Sequence, residues 1–221
     1  MNHREMLELA EWRRLVAEMY AKVRDSPAER ARKAWEECRS TRTSLFATHP
    51  QSPLDRRQRS SFDGLLYFPY DPAWRIQAQI VPSNEASLDT ELAGVTVDLP
   101  EGKLTRRPFM RVLFAPPCPP GTRNRPRPST LTLYWLDGYG GGIFLPFRDL
   151  TNRHETYGGG RYLYDTRKGA DLGAGPEAIL LDFNYAYNPS CAYNPRWVCP
   201  LAPRENYLKL RIEAGEMMKK W

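Results

Sequence analysis

From Arg4 to Arg24 the apolar positions recur at helical spacing. Met6, Leu9, Ala10, Arg13 and Val16 form one mixed face, with Trp12, Leu15, Met19 and Val23 beside it, the repeat of an amphipathic helix. Asp25-Ser26-Pro27 ends it and starts a second helix, expected from Pro27 to about Arg39, because Ser26 can accept from free amides and Pro27 fits a first turn. That helix is highly charged, and Trp35 is its only large apolar residue, which predicts a peripheral lid or contact surface. A polar, proline-containing linker follows. From Phe62 the period changes to two. Strands are expected at 62–68, 74–80, 94–99, 109–114, 130–136, 143–147, 160–164, 178–183 and 207–212. The Pro/Arg-rich stretch 115–129 is expected to be an irregular, polyproline-like excursion. Many short strands joined by Gly/Pro turns predict a mainly β fold, a single antiparallel barrel or sandwich with one or two N-terminal helices packed outside. The chain thus divides into a helical segment (1–40), a linker (41–61) and a β domain (62–221).

Composition sharpens this. With 221 residues the chain fits one domain with a real core, and 20 prolines favour strands and pinned turns over long helices. The net charge of +6 is spread over Arg56, Arg57 and Arg59, then Arg106 and Arg107, then Arg123, Arg125 and Arg127, with acidic residues interleaved elsewhere. No single basic face emerges, so no specific nucleic-acid partner is expected. No apolar run reaches spanning length and MNHREMLELAEW has no hydrophobic signal core, so a cytoplasmic protein without membrane contact is expected. Its four cysteines are then read as thiols. Oligomeric state is not written in the pattern.

Chemistry concentrates in 143–206, where a triple glycine followed directly by an arginine, six tyrosines and two cysteines lie between strand-like runs. Loops of this kind carry sites. In the first block, Asp149 and Thr151 follow a strand, where a carboxylate accepts from turn amides. Gly158–Gly160 have no helix after them, and in 138–143 the third required glycine is Ile143, so neither is a dinucleotide fingerprint. Both read as hairpin turns, and no cofactor is expected. Arg161 demands a partner if it points inward. Asp149 or Asp182 would serve, and so would an anionic ligand held by the guanidinium fork.

In the second block Asp182 and Asn184 share a strand face and can project together. Tyr187-Asn188-Pro189 repeats at Tyr193-Asn194-Pro195, a rigid doubly turned loop. Cys191 and Cys199 have a C-x7-C spacing, outside the zinc-knuckle pattern, with only His154 near enough to complete a site; no metal is expected. Packed thiols, a disulfide in an oxidising compartment, and a Cys191 nucleophile with His154 as base all fit that spacing.

FDGLLYFPYDPAW, IFLPFRDLTNRHETYGGGRYL and LDFNYAYNPSCAYNPRWVCPLAPREN, with a closing RIEAGE, resemble in order and spacing the signature blocks of the domain-of-unknown-function 1684 family of bacteria and archaea. The resemblance spans about 52–216, and the EWRR segment is similar to that family's N-terminal helix. It implies membership without chemistry. The 115–129 loop and the helix around Trp35 stand out as additions.

Three functions follow from the residues. The first is a small-molecule-binding β domain, its pocket formed by Tyr157, Arg161, Asp182, Asn184, Tyr187 and Asn188. The second is a hydrolase-type enzyme with Asp149 or Asp182 as base, assisted by His154 or Tyr157. In the third, the two blocks only brace the fold.

Overall fold

In the computed structural model, which describes residues 2–82, 95–99, 102–118, 121 and 126–219, the chain opens with helix α1 (His3–Arg24). Asn2 and Glu5 form a capping box that satisfies two otherwise orphaned donors. Val16, Met19 and Tyr20 are its buried stripe. Ser26 donates to the Lys22 carbonyl at 2.8 Å, so it closes α1 instead of capping the next helix.

Helix α2 (Ala31–Thr48) runs well past Arg39 and through much of the stretch read as linker. Its polar residues mislead because their hydroxyls bond back along the helix. Thr41 donates to the Glu37 carbonyl and Thr48 to that of Ser44, both at 2.9 Å. The expected peripheral lid is also corrected: Ala34, Trp35, Cys38, Leu45 and Phe46 are buried. The Trp35 indole donates to the Asn184 carbonyl at 2.9 Å, which fixes α2 to the second motif block. A short helix α3 (Arg56–Ser60), capped by Asp55 and Gln58, ends the helical part.

The rest is one antiparallel sheet, curled into a half-barrel. Its strands are β1 (Arg75–Val81), β2 (Val95–Leu99), β3 (Gly102–Phe114), β4 (Ser129–Leu136), β5 (Gly142–Phe147), β6 (Arg161–Asp165) and β7 (Ala178–Asp182). Their spatial order is β6-β5-β4-β3-β1-β7, with β2 pairing on β3. The long β3 receives β2 along its first half and β1 along its second. Its register against β4 shifts between Pro108 and Met110, where proline has no amide to donate. Pro146 stands at the equivalent shift between β5 and β6. Gly138 and Gly140, at positive φ, make the β4–β5 hairpin turn. Gly94 of the expected 94–99 strand, and part of the 115–129 loop, lie outside the described residues.

Two expected strands take other roles. Residues 62–68 make only a bridge, Tyr67 to Glu216, with the Phe68 amide donating to Gly215 at 3.0 Å. Residues 207–212 run parallel to 148–150: the Arg148 amide donates to Asn206, that of Leu208 to Arg148, and that of Leu150 to Leu210. Asn206 fills the splay between β4 and β5. Its side chain accepts the Thr132 amide and donates to the Thr132 and Pro146 carbonyls, all at 2.8 Å.

The core lies between the sheet and the two long helices. Phe183 is its hub, with the rings of Trp74, Phe114 and Phe147 at 5.7, 5.5 and 5.3 Å. Every residue of β6 is buried. Among the described residues no helix is long and apolar enough to cross a membrane.

Candidate functional site

The residues singled out in the sequence do not gather in one place. Arg161 is fully buried and pairs with Asp149 at 3.2 Å. Its guanidinium also donates to the carbonyls of Ile212, at 2.9 Å, and Ala214. Asp149 accepts from the Thr151 hydroxyl and from the Ile212 amide at 2.8 Å. Burial still pulls Arg161 below its ordinary range, against the Asp149 charge. This cluster fastens the C-terminal segment to β5 and β6, and it leaves no terminal nitrogen of Arg161 for a ligand.

Asp182 and Asn184 form a second cluster. The Asp182 carboxylate accepts the Asn184 amide at 3.2 Å and its side-chain amide at 2.8 Å, and stands 3.6 Å from Arg75. Asn184 in turn accepts the Asp71 amide and donates to the Asp71 carbonyl. Burial pushes the Asp182 carboxyl up to about 6. The pairing expected for Arg161 is therefore with Asp149, not Asp182.

His154 is exposed on the turn after β5, and its ring makes no hydrogen bond or ion pair among the described residues. It is thus not assembled with Cys191, Asp149 or Asp182 into a proton-transfer group. Tyr157 instead reaches the second block, donating to the Cys191 sulfur at 3.7 Å. Among the described residues no group of His, Cys, Asp and Glu could hold a metal. His49 is buried beside Trp12, its Nε2 3.8 Å from Glu11 and without a hydrogen-bond partner among the described residues.

Tyr187 and Asn188 do reach a concavity. It lies where α1 and α2 meet β6 and the Tyr-Asn-Pro loop (187–195), with Trp12, Tyr20, Phe46, Tyr162 and Tyr187 as aromatic walls. Arg42, Asp165, Lys168, Asn188 and Cys199 supply its polar groups. Its volume is about 60 Å³, against roughly 300–1,000 Å³ for pockets that enclose drug-sized ligands. A group of a few heavy atoms fits. A larger hollow of about 430 Å³ beside Gln77, Gly175 and Leu180 is shallow and open.

Charges in the cleft are arranged asymmetrically. The Arg42 guanidinium lies over the Phe46 and Tyr187 rings at 4.8 and 4.7 Å and pairs with the buried Glu216 at 3.1 Å. Glu216 also accepts the Asn188 amide at 3.3 Å, yet burial raises its carboxyl above the ordinary range. The same cleft holds two buried acceptors with no hydrogen-bond partner among the described residues, Asp165 Oδ1 and Asn188 Oδ1. Lys168 comes only to 3.8 Å from the other Asp165 oxygen. Burial raises the Asp165 carboxyl too, and pushes the Tyr20 and Tyr187 hydroxyls up, so both stay neutral donors.

Sequence reasoning missed Arg42, Tyr20 and Asp165. The first two carried a signal. Arg42 continues the stripe of Cys38, Leu45 and Phe46 on α2, and Tyr20 that of Val16 and Met19 on α1. Asp165 carried none, because the register shift within β6 opposes it to Phe144 while Arg161 opposes Phe147, so it turns to the cleft with Tyr162 and not with Arg161.

A family model described as a protein of unknown function, DUF1684, matches residues 60–217. No curated protein matches the chain. Among solved structures, the solution NMR structure of an uncharacterized protein from Haloarcula marismortui is 30% identical with a TM-score of 0.56. The match covers 86% of this chain and 95% of that one.

Proposed function

The chain belongs to the DUF1684 family, whose description assigns no activity, and we propose that it is a small-molecule-binding β domain whose ligand is a compact amine. The ligand's ammonium group enters the cleft between α1, α2 and the Tyr-Asn-Pro loop. One observation carries this reading: Asp165 Oδ1 and Asn188 Oδ1 are buried beside the cleft without a donor. A buried acceptor left empty is costly, and a charged acceptor more so. An ammonium group supplies several donors to both oxygens and offsets the Asp165 charge, while Tyr20, Tyr162 and Tyr187 offer it ring faces. Arg42 is already neutralised by Glu216, which speaks against an anion as the principal guest.

The test is a titration of the purified protein with methylammonium and ethanolamine, with acetate as the anionic control, followed by amide NMR. Saturable shifts at Tyr187, Asn188 and Asp165 with the amines, lost in Asp165→Asn, are expected. Equal shifts with acetate, or none up to the solubility limit of the amines, overturn the reading. A bracing role for the motif blocks is the second reading, supported by the internal bonds of the Arg161 terminal nitrogens and of the Asn184 side chain. It predicts that the same substitutions change melting temperature and no ligand response.

A further inference from the structure

The two thiols of the second block are outside the amine reading, although Cys199 borders the cleft. Cys191 sits in a 3-10 turn, Ser190–Ala192, and its own backbone amide donates to the Cys199 sulfur at 3.4 Å. That contact brings the Cys199 sulfur against the backbone of Cys191. Tyr157, from the first block, adds a hydroxyl donor to Cys191 at 3.7 Å. Both cysteines are free and half-buried, accessible enough for a small reagent. The loop that carries them is pinned by Gln58, whose amide reaches the Tyr193 carbonyl at 2.7 Å, and by the Asn188 bonds to the C-terminal segment. The two cysteines are thus held side by side, the Cys191 sulfur receiving the Tyr157 hydroxyl and the Cys199 sulfur the Cys191 amide.

We propose that Cys191 and Cys199 are a thiol-oxidation site for small hydroperoxides, with Cys191 as the attacking thiolate and Cys199 as the resolving thiol. In the first step the Cys191 thiolate attacks the terminal oxygen of the hydroperoxide. The S–O bond forms, the O–O bond breaks, and the departing alkoxide takes a proton from water. In the second, Cys199 gives its proton to solvent and its sulfur attacks the Cys191 sulfenic acid. The S–S bond forms, the S–O bond breaks, and hydroxide leaves as water. Two thiols are oxidised to one disulfide, and one hydroperoxide is reduced to an alcohol and water.

The division of roles follows from the donors. Hydrogen bonds from Cys199 and then Tyr157 bring the Cys191 thiol down to about 7, against the opposing effect of burial. Cys199 moves the other way, raised by its contact with Cys191 and by burial. An ordinary thiol of pKa ~8.5 is only a few per cent thiolate at neutral pH, and the lowered Cys191 thiol carries a larger share. Allowing for the lower nucleophilicity of the weaker base, Cys191 should react roughly threefold faster or more. Tyr157 acts as a positioning residue: its loss should move the pH midpoint of Cys191 reactivity upward.

The experiment uses the full chain, hydrogen peroxide and peptide mass mapping. The expected result is a peptide pair joined through Cys191 and Cys199, with the intact mass lower by that of two hydrogens and reversal by dithiothreitol. In Cys199→Ser a dimedone adduct should accumulate at Cys191, and in Tyr157→Phe the pH profile of that adduct should shift upward. Oxidation of Cys118 as fast as that of Cys191 overturns the proposal. So does a Cys199→Ser protein, folded by circular dichroism, that gives no adduct at Cys191.

Discussion

Arg161 and Asp149 lie 3.2 Å apart with both side chains wholly excluded from water. The pair converts the first motif block into a clasp on Ile212 and Ala214. A buried ion pair gains little over an apolar replacement, but removing one member strands the other.

Arg161→Met is therefore expected to lower stability by about 3–5 kcal/mol, the usual loss when a buried pair is broken on one side. Adding Asp149→Asn should recover part of that loss, because no bare carboxylate remains. Urea unfolding of the two single variants and the double variant measures the coupling.

Asn206→Ala should cost about 2–4 kcal/mol, since it removes a side chain bonded three times inside the splay between β4 and β5 and leaves the Thr132 amide buried without a partner. Asn206→Asp should be worse, because a carboxylate would face the Thr132 and Pro146 carbonyls. Thermal denaturation of both variants settles the order.

Gly215 has φ +81°, and a Cβ there would stand 2.6 Å from the Ala186 carbonyl oxygen and 2.7 Å from that of Phe183. Both are backbone atoms that cannot swing aside. Gly215→Ala is expected to destabilise by at least about 2 kcal/mol from left-handed strain and overlap together. A melting temperature unchanged from wild type would contradict it.

The Asp182 carboxyl is raised, chiefly by burial, from 3.8 to about 6. Between those values the folded protein keeps a proton that the unfolded chain has released. Stability from this group therefore falls as pH rises from about 4 to 6 and is level above, by on the order of 3 kcal/mol in total. Asp182→Asn has no such proton to lose. Its stability relative to wild type should climb across that window, as chemical denaturation at a series of pH values would show.

The strands were the most legible part of the fold, because 74–80 alternates and because 130–136 and 143–147 are apolar runs, bounded by turn residues, that become buried on both faces of β4 and β5. Residues 207–212 have the same texture but lie beside 148–150 outside the sheet, a difference set by Asn206 and not by any apolar period. Helix α2 was misjudged past Arg39 because its buried stripe includes Arg42, and the Glu216 that neutralises it lies 174 residues away. The candidate site was legible only at Tyr187 and Asn188. Arg161 was correctly seen to need a partner, but sequence spacing cannot choose between Asp149 and Asp182. Pairing of Cys191 with Tyr157 depends on two loops meeting, which no local pattern encodes.

The segment 212–216 has one consequence for biogenesis. The carbonyls that receive Arg161 and the carboxylate that receives Arg42 both lie in it, while the strands and helix carrying those arginines are translated earlier. A nascent polypeptide halted before Ile212 leaves Arg161 short of two acceptors and Arg42 short of its counter-charge. Truncation before Ile212 is therefore expected to cost more than the few residues removed, because it strands two arginines at once.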